Sequence, residues 1–107
     1  MLAEWITYLA TPCPGHLRRL GYLREIIGTR SRHSRCRDAW QPHLDNSRAA
    51  ILVAAEAAPA RRKALVLGSG WLYDVPLAEL SGIFETVVLA DLLQMPAVRR
   101  MAAKYPN

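Results

Sequence analysis

Between Lys63 and Asp91 the chain reads Lys63-Ala64-Leu65-Val66-Leu67, Gly68-Ser69-Gly70, a helix-like run from Val75 to Phe84, and Glu85-Thr86-Val87-Val88-Leu89-Ala90-Asp91. A short uninterrupted apolar run that meets two glycines predicts a strand buried on both faces and turned sharply into a helix. The second apolar run, ending in a carboxylate, closes a strand–helix–strand unit. Two glycines let backbone approach a ligand without a Cβ in between, and the free N–H groups of a helix start favour an acceptor or anion there. An acidic side chain at the tip of the second strand suits the two hydroxyls of a ribose. Together these residues predict a nucleoside-type pocket.

Val66-Leu67-Gly68-Ser69-Gly70, with Asp91 closing the next strand, resembles the first two motifs of the class I S-adenosylmethionine-dependent methyltransferases, which are Rossmann-like. The resemblance implies that Gly68, Ser69 and Gly70 lie under the amino-acid part of S-adenosylmethionine and that Asp91 binds its ribose. Trp71, directly after the turn, is a candidate cover for the adenine or the methionine tail, or else a residue packed on the sheet or a partner chain. Val66 stands where the family usually has an acidic residue and Leu72 where it often has a third glycine; Tyr73 occupies the last glycine position of the dinucleotide pattern. The resemblance covers roughly residues 38 to 107.

The remainder of the chain supports an α/β fold with helices first. Leu2, Trp5, Ile6 and Leu9 recur at helical spacing, as do Leu17, Leu20, Leu23 and Ile27, with Gly28 as a candidate C-cap. Residues 1–37 are thus expected to form a helical cover ending in a basic loop or solvated helix end, where Arg30, Arg32, Arg35 and Arg37 alternate with polar residues. In residues 38–107, the Rossmann-like half-domain, Asp38 and Gln41 resemble a capping box, and Pro42 would fall in the first turn of its helix. Trp40, Leu44, Ile51, Ala55 and Ala58 share one face, and its alanines would let the helix lie close against a sheet. Asp74 is a candidate cap for the helix after the glycines, with Leu77, Leu80, Ile83 and Phe84 inward. A last helix is expected over Leu92 to Tyr105, with Val98, Met101 and Ala102 inward.

Only two strands are legible, whereas a parallel pair needs neighbours on both edges. In the methyltransferase family further strands follow and carry the catalytic and substrate residues. The expectation is therefore a truncated β-α-β-α unit completed by self-association, a homo-oligomer through sheet edges.

Of the 107 residues, 51% are hydrophobic and 21% charged, which fits a globular domain with one core. Cys13 and Cys36 cannot make a disulfide framework, and no export signal or membrane-length apolar run is seen, so a reduced cytoplasmic setting without a membrane partner is expected. The net charge of +5 invites comparison with nucleic-acid binders using Arg30 to Arg37 and Arg61 to Lys63. No aromatic residues interleave those arginines, which disfavours a single-strand surface. Cys13, His16, His33 and Cys36 have the spacing of zinc ligands, but an apolar helix separates the pairs and no metal is expected. His43 and Asp45 would lie on different helix faces, so they do not make a base and its orienting partner. No catalytic residue is assigned. The rival readings are a non-enzymatic oligomerising module with a vestigial nucleotide pocket and a small basic nucleic-acid-binding protein.

Overall fold

The computed structural model describes residues 2–106 and divides into two compact units, Met1–Trp40 and Gln41–Asn107. The boundary lies three residues beyond the expected one, inside a helix. Among the described residues there are six helices and one sheet of two parallel strands, a mixed α/β composition.

In the first unit, α1 (Leu2–Ala10) is followed by the short α2 (Gly15–Arg19) and by α3 (Tyr22–Arg35). The expected stripe from Leu17 to Ile27 is broken at Gly21, whose φ of +82° ends one helix and begins the next. Leu17, Leu23 and Ile27 are buried, while Leu20 is exposed. Gly28 is not a C-cap: it sits within α3, which continues through the arginine-rich segment. Side-chain pairs run along that segment, with Arg35 donating to the Ser31 hydroxyl one turn back (3.1 Å) and Arg32 to the Glu25 carboxylate two turns back (2.6 Å). In α1 the apolar stripe faces solvent rather than inward.

α4 (Arg37–Glu56) begins in the first unit and continues into the second. The capping box is not formed, because the Gln41 amide donates to Asp45 one turn ahead (2.7 Å). Since the helix starts at Arg37, Pro42 stands beyond its first turn and removes an interior donor. Ala55 is the buried residue of this helix.

The second unit continues with β1 (Lys63–Leu67), α5 (Leu77–Ile83), β2 (Thr86–Ala90) and α6 (Pro96–Ala102). The strands pair in register from Lys63 opposite Thr86 to Leu67 opposite Ala90. The same pairing extends backward, with the Glu85 and Thr86 amides donating to the Arg61 and Arg62 carbonyls. β1 is not buried on both faces. Ala64 and Val66 are half-buried, whereas Leu65 and Leu67 are exposed, and Val88 of β2 lies exposed opposite Leu65. A two-stranded sheet covered on one side leaves alternate apolar residues in solvent despite the unbroken hydrophobic run.

α5 starts later than expected. Its N-cap position is Pro76, not Asp74, and a loop from Ser69 to Pro76 separates it from the glycines. Leu77, Leu80 and Phe84 form its buried stripe. α6 is shorter than expected and opens with a proline in its first turn; Val98 is buried, but Met101 points outward.

Candidate functional site

Where β1 ends, Gly68 and Gly70 take φ of +69° and +53°, a backbone region that glycine enters without the Cβ penalty. Leu72 also has positive φ, at +65°. A residue with a side chain is disfavoured there, so the loop spends energy to hold its course. The parallel pairing fixes the tips of β1 and β2 side by side. The Ala90 carbonyl consequently accepts from both the Gly68 amide (2.7 Å) and the Ser69 amide (3.3 Å).

Asp91, half-buried at the tip of β2, reaches the same turn. Its Oδ2 accepts from the Gly70 amide at 2.8 Å and its Oδ1 from the Leu92 amide at 2.7 Å. A carboxylate has about four acceptor positions, so two remain beyond these amides. Asp91 does not cap the next helix, because α6 begins only at Pro96.

The expected glycine turn and acidic tip thus come together, but the chemistry of the turn differs from the expectation. The amides of Gly68, Ser69 and Gly70 are all consumed internally, and no helix begins there to supply further ones. In this arrangement none of these three amides is left to face an anion or the carboxylate of a methionine group. The side expected to hold the sugar differs. A Cβ built on Gly68 or Gly70 would meet no heavy atom within 4 Å, so the space above the turn is open. The two spare acceptor positions of Asp91 suit a vicinal diol.

Ser69 and Trp71 have turned inward. Ser69 is buried, and its hydroxyl has no hydrogen-bond partner within the chain. Trp71 is buried too, its ring stacked with Tyr73 at a centroid distance of 6.4 Å.

One supporting residue has no signature in the sequence. The half-buried Arg48 of α4 donates to the carbonyls of Val75 (3.1 Å) and Tyr73 (3.4 Å), tying the loop after the turn to that helix. Its partners are backbone carbonyls more than twenty residues away, which no local pattern encodes.

Elsewhere in the second unit a cleft of about 240 Å³ lies on the helix-covered side of β2, lined among others by Ser81, Val87, Leu89, Gln94, Arg99 and Tyr105. None of the five expected site residues lines it. Among the described residues no group of three or more His, Cys, Asp or Glu side chains is placed to hold a metal ion. His33 instead lies 6.1 Å from the Trp40 ring centre. Compared with protein-family models, with curated proteins and with solved structures, the chain has no match in any of the three.

Proposed function

We propose that this chain binds a nucleoside-type small molecule at the carboxyl ends of β1 and β2, in the Rossmann-like manner, and that S-adenosylmethionine is the ligand its motifs imply. The observation that carries the reading is the 2.8 Å bond between the Asp91 carboxylate and the Gly70 amide. It brings the acidic tip and the glycine turn to one point, with open space above the glycines. In this reading Asp91 accepts the sugar hydroxyls through its unused lone pairs, and the glycines admit the ligand close to the backbone. Binding is the proposed function. A methyl-transfer step would need an acceptor site, and the residues at this turn include no nucleophile with a base beside it.

Titration calorimetry with S-adenosylmethionine, S-adenosylhomocysteine and adenosine tests this reading. Saturable heat is expected, with adenosine retaining much of the affinity because the turn has no amides left for the methionine carboxylate. Asp91→Asn keeps one oxygen for the Gly70 amide but loses charge and an acceptor edge, and should weaken binding about tenfold or more. Absence of saturable heat with all three ligands would overturn the proposal.

A second reading, a non-enzymatic module that self-associates through its sheet, is favoured by the exposure of Leu65 (60%) and Leu67 (76%) on the uncovered face. Among the described residues nothing pairs with the outer edge of either strand, and such edges are templates for another chain. Sedimentation velocity at several concentrations should then reveal an oligomer that Leu67→Lys dissociates. A monomer at every concentration would exclude it.

A further inference from the structure

α1 is an amphipathic helix packed the wrong way round for a self-sufficient domain. Its polar side meets the rest of its own unit. Glu4 accepts from the Ser31 hydroxyl of α3 at 2.7 Å, and the Arg18 guanidinium lies 4.6 Å from the Tyr8 ring centre while donating to the Tyr8 and Thr11 carbonyls. The opposite side carries Leu2, Trp5, Ile6 and Leu9, which are 73%, 65%, 56% and 59% exposed. Positions i, i+3, i+4 and i+7 make one continuous stripe, the stripe that normally turns toward a core. A ridge of four large apolar side chains in water marks a surface with a counterpart.

The charge distribution identifies that counterpart. Met1–Trp40 holds seven arginines against Glu4, Glu25 and Asp38, a surplus of four out of the chain's five. The second unit is nearly balanced, with seven basic and six acidic residues. An exposed arginine of α3 borders the ridge: Arg24 lines a groove with Trp5, Tyr8 and Glu4. Of the acids, Glu25 pairs with Arg32 at 2.6 Å. An apolar ridge with a tryptophan, bordered by an arginine and carried by a unit with a positive surplus, fits the boundary between anionic headgroups and acyl chains.

We propose that α1 docks on an anionic phospholipid surface, with Leu2, Trp5, Ile6 and Leu9 entering the headgroup–acyl boundary and Arg24 against a lipid phosphate. This is surface attachment, and it replaces the expectation, drawn from the sequence, that the chain has no membrane partner. Among the described residues no helix is long and apolar enough to cross one.

The test is flotation of the full chain with vesicles of phosphatidylcholine alone and of phosphatidylcholine mixed with phosphatidylglycerol, at low and physiological salt. Binding to the mixed vesicles is expected, markedly weaker on the neutral ones and reduced by salt. Trp5→Asp should weaken it about tenfold or more. Arg24→Gln should weaken it about fivefold. Ile6→Ser, at a second exposed position, provides an independent check, and circular dichroism verifies that each variant is folded. Failure of the wild type to float with the mixed vesicles overturns the proposal, as does flotation unchanged in both Trp5→Asp and Ile6→Ser, since the contact would then be charge alone. So does a dimer that Trp5→Asp dissociates without any vesicle binding, which would make the ridge an interface between copies. Binding of duplex DNA without binding of vesicles would assign the arginines to nucleic acid and also overturn it.

Discussion

Replacing Asp91 by alanine should loosen the turn that joins the two strand tips, and the size of the effect follows from the bonds it makes. The carboxylate accepts from the Gly70 amide at 2.8 Å across 21 residues of sequence, and from its neighbour Leu92 at 2.7 Å. A hydrogen bond to a charged group contributes roughly 1.5–3 kcal/mol. Asp91 is only half-buried, so solvent reduces that figure, and the bond to the exposed Leu92 amide adds little because water replaces it. We expect a loss of about 2 kcal/mol for Asp91→Ala, based on these bond strengths. For a unit of this size that lowers the unfolding midpoint by roughly 8–16 °C. Asp91→Asn retains an oxygen for the Gly70 amide and should recover about half of the loss. Urea unfolding followed by circular dichroism measures the stability, and amide hydrogen exchange at Gly70 reports the bond itself. Slow exchange at Gly70 in the wild type should become fast in the alanine variant. If Asp91→Ala unfolds within about 0.5 kcal/mol of the wild type, a difference typical of a neutral surface change, Asp91 does not brace the turn.

Three further substitutions probe the same structure. Gly70→Ala meets no steric contact but forces a Cβ into φ of +53°, and should cost about 1 kcal/mol net of the stiffer unfolded chain; equal or greater stability would contradict the left-handed turn. Gly28→Ala is the opposite case, because this glycine lies inside α3 and a Cβ there meets only the guanidinium end of Arg32 at 3.4 Å. It should stabilise by about 0.5–1 kcal/mol in thermal unfolding, whereas a C-cap glycine would make it destabilising. Ser69→Ala removes a buried hydroxyl that has no partner and should stabilise by about 1 kcal/mol in urea unfolding; a comparable loss would mean that the hydroxyl is bonded after all.

Local pattern alone determined the strand–turn–helix–strand order from Lys63 to Ala90, the two glycines at the strand's end and the place of Asp91 just beyond the second strand. These are decided by neighbours in sequence: an apolar run of strand length, residues that tolerate positive φ, and a helical period for Leu77, Leu80 and Phe84. The methyltransferase-like motif itself remains a resemblance of a few residues. Tertiary structure decided which way faces point. The stripes of α1 and of Leu17–Ile27 look alike in sequence, yet one faces water and the other is partly buried, because burial depends on what lies opposite, and periodicity gives only which residues share a side. The same holds for β1, whose unbroken apolar run is covered on one face only, and for Gly28, which lies inside α3 rather than at its end. At the turn, sequence placed the glycines and the acid, while the fold assigned their hydrogen bonds: the amides expected to await a ligand are bonded to Ala90 and Asp91, since parallel pairing brings those acceptors within reach.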